Sequence, residues 1–136
     1  MVDFAKVLKE NPVGVFATQD GNKVKTRVFQ YLFSDGNKVY FCTNSEKPVY
    51  SQMKNNPNVS FCTYSQNFAP VLSINGKVVF VEDIVLKTKA LDENPPIKGI
   101  YKTPSNPIFK IFYIDVEEVE TFNFEEGAKK YLINEK

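Results

Sequence analysis

Apolar and polar residues alternate along the first third of this chain with the two-residue period of β-strands. One such segment, Lys23–Phe33, carries Arg27 on a largely aromatic face, and Lys38–Thr43 follows it across a short polar turn. Aspartate–glycine pairs at Asp20-Gly21 and Asp35-Gly36 are typical of tight hairpin turns. The pattern therefore predicts an antiparallel meander near the start of the chain.

Further apolar runs predict the rest of a sheet, over Val13–Thr18, Val59–Tyr64, Val71–Val81 and Phe109–Val116, the last extended by Val119–Phe124. Val13–Thr18 is apolar on both faces, so we expect it to be buried on both sides. Gly76, inside its strand, predicts a bulge or a close backbone approach. With six or seven strands and short connections, the fold class is mainly β with short helices, and we expect a small, closed or nearly closed six-stranded antiparallel barrel.

Helical spacing and capping residues predict helices over Phe4–Glu10, Lys47–Lys54 and from Asp83 through Leu91. The prolines of Asn94-Pro95-Pro96 are expected to end the third helix. The segment Gly99–Pro107 is expected to be a loop, and the role of Tyr101–Pro107 stays open. The charged end, residues 125–136, is expected to add a short helix.

Composition narrows the classes of function. The 136 residues are expected to form one domain, 1–136, and 17 basic against 16 acidic residues give a net charge of +1. This balance favours neither a nucleic-acid nor a membrane partner. The absence of histidine excludes Ser-His-Asp and Cys-His catalysis and a histidine-ligated metal site. Because Met1–Lys9 lacks the apolar run of a signal peptide, we expect a cytoplasmic protein.

Two cysteines, Cys42 and Cys62, lie in predicted strands without CxxC spacing. We interpret them as reduced core thiols, because free cysteine is among the most often buried residues. A disulfide between neighbouring strands and a catalytic thiol are the alternatives. We expect no catalytic side chain and no metal site.

The start of the second helix is a candidate anion site. Helix starts leave backbone N–H groups unpaired and carry partial positive charge, so they can hold a phosphate. Lys47 lies where the helix dipole disfavours a cation, which is easier to understand if an anion binds there. Arg27 is expected nearby once the hairpin folds back, although a lone arginine is more often solvated.

The ordered combination of Arg27, the strand end at Phe41-Cys42-Thr43-Asn44, Lys47 and Asn56-Pro57 resembles the pyridoxamine 5'-phosphate oxidase-like family. The resemblance implies an FMN-binding split β-barrel and a homodimer with FMN in clefts at the subunit interface. Its nitroimidazole-reductase-like branch is nearer in length and layout. Glu46 before the lysine, with no Trp or His, argues against oxidation of pyridoxamine phosphate.

The resemblance also implies the cofactor contacts. The cations would hold the FMN phosphate with help from the strand end, backbone would line the ring, and one residue would reach over from the partner subunit. The implied cofactor-binding residues are Arg27, Val28, Phe29, Gln30, Thr43, Asn44, Ser45, Lys47 and Gln66.

The first functional hypothesis is therefore an FMN-dependent oxidoreductase that passes electrons from NAD(P)H or a small donor to a small oxidised acceptor. The flavin supplies the redox chemistry in such proteins, so no acid–base constellation is required. A second hypothesis is a non-catalytic module that binds or stores flavin, deazaflavin or haem. A third is a structural β-barrel dimer in which Arg27 and Lys47 merely pair with carboxylates.

Overall fold

The computed structural model describes residues 3–133 of the chain. Within them lie four helices and eight strands, in the order α1 (Phe4–Glu10), β1 (Val13–Asp20), β2 (Lys23–Gln30), β3 (Phe33–Asp35), β4 (Lys38–Asn44), α2 (Pro48–Asn55), β5 (Asn58–Tyr64), β6 (Val71–Val81), α3 (Ile84–Asp92), α4 (Pro95–Tyr101), β7 (Phe109–Asn123) and β8 (Gly127–Leu132). The predicted mainly β class with short flanking helices is confirmed. No helix in this range is both long and apolar enough to span a membrane.

All strand pairs are antiparallel and form one sheet in the order β2-β1-β5-β6-β7-β4-β3, with β8 added to β7. The long β7 pairs with β6 on one side. On its other side, its first half pairs with β4 and its second half with β8. Among the described strands β2 pairs only with β1, so the barrel stays split where the free edge of β2 faces β4.

Aromatic rings fill the inside of the sheet. Phe16 is fully buried, and its ring lies 4.8 Å from Phe29, 5.3 Å from Phe41 and 5.8 Å from Phe112 between centroids. Aromatic pairs at these distances add to the free energy gained by burial. Phe29 belongs to β2, so this cluster holds the free strand edge against the barrel.

A second core lies outside the barrel, where α3 and α4 cover β4 and β7. Its buried members are Tyr40, Ala90, Leu91, Tyr101, Phe109 and Ile111. Alternate residues of β4 thus serve different cores, with Phe41 facing the barrel and Tyr40 facing the helices.

The predicted bulge at Gly76 is confirmed, since the register of β6 and β7 shifts between Asn75 and Gly76. A Cβ atom at Gly76 would lie 2.1 Å from the carbonyl oxygen of Asp115. This close backbone approach requires glycine.

Several sequence-based boundaries were wrong. The second strand ends at Gln30, and Phe33–Asp35 forms a separate short strand with β4. The sheet has eight strands in the described residues instead of six or seven, because the separate β3 and a strand β8 formed by the charged end, in place of a helix, are added while β7 runs unbroken. Gly127 opens β8 with φ +75°, a turn conformation that glycine adopts without strain.

Two further predictions were wrong in an informative way. Val13–Thr18 is not buried on both sides, because Val13 and Val15 are 57% and 44% exposed while Phe16 is buried. The loop predicted over Gly99–Pro107 begins later than expected, because α4 runs from Pro95 to Tyr101, with proline in the first turn, where its missing N–H costs nothing.

Candidate functional site

A cleft runs along the free edge of β2, between that strand and the segment linking β4 to α2. One cavity in it, of about 330 Å³, is lined by Arg27, Val28, Phe29, Lys47, Pro48 and Val49. A second, of about 220 Å³, is lined by Val28, Phe29, Gln30, Cys42, Thr43, Lys47, Ile97, Ile100 and Tyr101. Three lining residues are common to both, so the two cavities form one elongated cleft with a cationic end and a more apolar end.

The cationic end is built around Arg27, which is half-buried in β2. Its Nη1 donates to the Thr18 hydroxyl at 2.8 Å and to the Phe16 carbonyl at 3.2 Å, and a longer contact of 3.5 Å reaches the Lys25 carbonyl. Its Nη2 donates to Gln52 Oε1 at 2.7 Å. Burial lowers the pKa of the guanidinium, but an arginine with only neutral partners stays charged at any physiological pH.

This arrangement leaves part of the guanidinium open. Arginine has five N–H donors in a fixed planar fork, and its bonds here engage the far end of the group and the Nη1 side. Within residues 3–133 no acceptor engages Nε, so the edge formed by Nε and Nη2 has donors to spare. Such an edge matches the spacing of two oxygens of a phosphate or carboxylate.

Lys47 is the second cation on the same cavity. It is exposed, and it occupies the N-cap position of α2 without making a side-chain cap. In the described part of the chain neither Lys47 nor Arg27 is paired with a carboxylate. Two uncompensated positive charges therefore border one cavity, which is the arrangement expected of an anion site.

The helix start contributes fewer backbone donors than its position in the sequence indicates. Pro48, the first residue of α2, has no N–H, and the Tyr50 N–H already donates to the Lys47 carbonyl at 3.1 Å. The Ser45 and Lys47 N–H groups also have backbone acceptors. The positive charge of this end thus comes mainly from the two side chains.

Thr43 marks the other end of the cleft. Its hydroxyl is buried, and among the described residues it is the buried side-chain polar atom that lacks a hydrogen-bond partner. A buried hydroxyl without a partner is costly, so it calls for an explanation. Thr43 also lines the second cavity, so this unpartnered hydroxyl belongs to a residue that borders the cleft.

Helix α4 forms the wall opposite β2 at this end. Ile97, Ile100 and Tyr101 line the cavity, and Gln30 Nε2 joins the two walls by donating to Asn94 Oδ1 at 3.2 Å. Ile100 is 68% exposed although it is apolar. Sequence reasoning missed this wall because it predicted a loop over Gly99–Pro107, yet Ile97 and Ile100, three residues apart after the double proline, were a usable signal of a short amphipathic helix.

The predicted site residues divide into two groups. Arg27, Val28, Phe29, Gln30, Thr43 and Lys47 come together along the cleft. In the described structure Asn44, Ser45 and Gln66 do not line it. The Asn44 side chain instead accepts from the Glu46 N–H at 2.8 Å, and Gln66 is exposed in the turn between β5 and β6.

Thr18 and Gln52 are the polar neighbours of Arg27 that sequence reasoning missed. Gln52 shares one face of α2 with buried Val49 and Met53, so a polar residue within an apolar stripe was the available signal. Thr18 ends the apolar run of β1 and gave no comparable signal.

Cys42 also lines the cleft, as an inert thiol. Burial raises its pKa to about 12, and the nearby Lys47 opposes this only in part. A thiol with such a pKa is not ionised at neutral pH, so it is neither a nucleophile nor a ready metal ligand. In residues 3–133 no three Cys, Asp or Glu side chains are grouped to hold a metal ion.

Comparison with known proteins gives a consistent family signal. The family model described as pyridoxamine 5'-phosphate oxidase matches residues 3–123. No functionally curated protein matches the sequence.

Solved structures share the fold over most of the chain. A NimC/NimA family protein from Clostridium acetobutylicum is 25% identical, with a TM-score of 0.83 over 94% of this chain and 88% of that one. General Stress Protein 26 from Bacillus anthracis is 18% identical, with a TM-score of 0.80 over 94% of both chains. A heme binding protein from Mycobacterium smegmatis is 14% identical, with a TM-score of 0.76 over 93% of this chain and 55% of that one.

Proposed function

This chain belongs to the pyridoxamine 5'-phosphate oxidase-like split-barrel family, and from that membership we propose that it is an FMN-binding oxidoreductase acting on a small molecule. The observation that carries the proposal is that Arg27 and Lys47, two cations without carboxylate partners in the described structure, line the same cavity of the cleft. A phosphate monoester carries nearly two negative charges, and charge-assisted bonds from arginine and lysine are the strong way to hold it.

The cleft fits a flavin at both ends. The Nε–Nη2 edge of Arg27 and the ammonium of Lys47 would hold the phosphate, and Thr43 would border the ring at the other end. Between them Val28 and Phe29 present the unpaired backbone edge of β2, whose N–H and C=O groups suit the alternating donors and acceptors on a flavin edge.

Bound FMN supplies the redox chemistry by taking up a hydride and passing electrons on. The side chains bind and orient the ring and exclude water from its inner face, through the aromatic cluster beneath Phe29 and the apolar wall of α4. No side chain is needed as a base, in keeping with a chain that has no histidine. NAD(P)H or a small donor and a small oxidised acceptor are the proposed substrates.

We further propose a homodimer. The outer face of β1, β2 and β5 carries exposed Val13, Val15, Val28 and Tyr64. Val15 pairs in register with Val28 on one side and Cys62 on the other, so these residues form one uncharged surface next to the cleft. Exposed apolar surface of this kind marks interfaces, and a second copy seated there brings its own residues, Gln66 among them, to the flavin.

A non-catalytic haem-binding role is the second candidate, because one structural relative is a heme binding protein. The cleft favours flavin over haem. The chain has no histidine, and the thiol that lines the cleft, Cys42, is held neutral by its raised pKa.

The test is the absorbance spectrum of the purified protein, before and after incubation with FMN and removal of free cofactor. Retained flavin bands that NADH or NADPH bleaches support the oxidoreductase, and retained bands that no donor bleaches support a storage module. Arg27→Ala should weaken FMN binding by about 1.5–3 kcal/mol, the scale of a hydrogen bond to a charged group. Protein that takes up no FMN refutes the proposal.

A further inference from the structure

The guanidinium of Arg27 is held by two buried polar side chains that bond to each other. Thr18 is 1% exposed and Gln52 is 8% exposed. The Thr18 hydroxyl donates to Gln52 Oε1 at 2.7 Å, while Arg27 donates to both of them at 2.8 and 2.7 Å. The three side chains thus form a closed triangle linking β1, β2 and α2.

The hydrogen bonds of the triangle fix the orientation of each of its three side chains. Gln52 Oε1 receives two donors, so only its oxygen, and not its amide nitrogen, can occupy that position. The Thr18 hydroxyl uses its single hydrogen toward Gln52 and keeps its lone pairs for Arg27. The guanidinium therefore has one orientation in which all three bonds form.

The triangle is also neutral apart from the arginine itself. A carboxylate at position 18 or 52 would hold Arg27 equally well, but would cancel its charge and compete with an incoming anion. Threonine and glutamine orient the cation without neutralising it. They engage its far end, which leaves donors of the Nε–Nη2 edge free on a residue that lines the cavity shared with Lys47.

We infer that Thr18 and Gln52 are positioning residues that aim the free edge of Arg27 at a phosphate monoester, and so set the preference of the cleft for FMN over its unphosphorylated form, riboflavin. The inference rests on the proposed function, since it concerns the same cleft. Their effect comes through Arg27 alone, because neither of them lines the cavities that the ligand would occupy.

The experiment measures dissociation constants for FMN and riboflavin, and the ratio is the riboflavin constant divided by the FMN constant. Thr18→Val and Gln52→Leu remove the two acceptors with little change in volume. Because misaimed catalytic or binding groups lose one or two orders of magnitude, the ratio should fall about tenfold in each variant. Riboflavin affinity should stay unchanged, and Thr18→Ser, which keeps the hydroxyl, should have the wild-type ratio.

Thr63→Val is the matched control. Thr63 is also a fully buried strand threonine, and its hydroxyl serves the carbonyls of Asn11 and Val13 at 2.8 and 3.0 Å, away from the cleft. It should lower the melting temperature and leave the ratio intact. Thr18→Val and Gln52→Leu proteins that melt lower but keep the wild-type ratio overturn the positioning role.

Arg27→Ala separates this inference from the proposal beneath it. A wild-type ratio that collapses in Arg27→Ala but not in Gln52→Leu or Thr18→Val overturns the inference and leaves the phosphate site standing. Wild-type protein that binds neither flavin refutes the proposed function itself.

Discussion

Replacing Lys47 by serine should change the free protein and the FMN complex in opposite directions. Lys47 is the N-cap of α2, with φ −81° and ψ 147°, the extended conformation of a capping residue, yet its side chain caps nothing. It also places a positive charge at the positive end of the helix dipole. A residue that lowers stability at such a position is expected where binding requires it.

The magnitude follows from two terms. A serine at the N-cap contributes about 1 kcal/mol through its bond to an early helix N–H. Removing the cation from the dipole adds about 0.3–1 kcal/mol at low ionic strength. The free energy of unfolding of the protein without FMN should therefore rise by about 1–2 kcal/mol, a shift of roughly 3–8 °C in melting temperature. FMN binding should weaken by about 1.5–3 kcal/mol.

The assay pairs urea denaturation of the apoprotein with an FMN titration. Lys54→Ser is the control on the same helix, because Lys54 lies in the last turn, where the dipole favours a cation, and its ammonium is 5.7 Å from the Tyr50 and Phe80 ring centroids. It should lower stability slightly and leave FMN affinity unchanged. A Lys47→Ser protein with lower apoprotein stability and wild-type FMN affinity would show that Lys47 is structural.

Two other predictions concern the scaffold. Gly76→Ala should lower the free energy of unfolding by about 2–3 kcal/mol, because the added Cβ atom would meet the Asp115 carbonyl. Gly99→Ala, in α4 with open space around it, should raise it by about 0.5–1 kcal/mol. Urea denaturation of both variants tests this contrast. Burial raises the pKa of Cys42 from 9.0 to about 12, so its contribution is complete below pH 9 and is lost as pH rises toward 12. The free energy of unfolding should therefore fall less in Cys42→Ala than in wild type across that interval. Parallel curves of unfolding free energy against pH for the two proteins would contradict a raised pKa of Cys42.

The sequence was a good guide to local structure where turn chemistry or capping is decisive. The Asp-Gly hairpins, the Asp83 cap of α3 and the bulge at Gly76 all follow from short-range sterics and hydrogen bonding. The strand order does not, because β6 pairs with β7 across more than thirty residues and β4 with β7 across about seventy.

The sequence-based predictions failed for residues whose conformation depends on their neighbours in the folded sheet. Val13 and Val15 face outward although they are apolar, so a rule that equates apolar with buried fails there. Polar strand β8 satisfies its backbone by joining β7, which charge and helix propensity do not reveal. Pro95 follows one helix and begins the next, and the loop prediction missed that Tyr101, at the end of α4, packs against Phe109 at 4.7 Å between ring centroids.

The candidate site was half visible. Arg27 and Lys47 were found because their chemistry is conspicuous, and the cleft brings them to one cavity. Thr18 and Gln52 were not predicted because their role depends on contacts between separate elements. They matter only once β1, β2 and α2 are packed, and nothing at either position alone points to an arginine.

The long strand β7 also determines the order in which the parts of the cleft can form during synthesis on the ribosome. The cleft's cationic wall is complete by Val49, yet β4, which carries Thr43, is joined to the main sheet through Phe109–Asp115 of β7. A nascent chain that has not yet released β7 has neither the floor of the barrel nor a fixed distance between the two ends of the cleft. Under the proposed function, FMN binding then waits until Phe109–Asp115 of β7 has emerged, and in the interval β4 lacks its β7 partner and is open to chaperones and to neighbouring nascent chains.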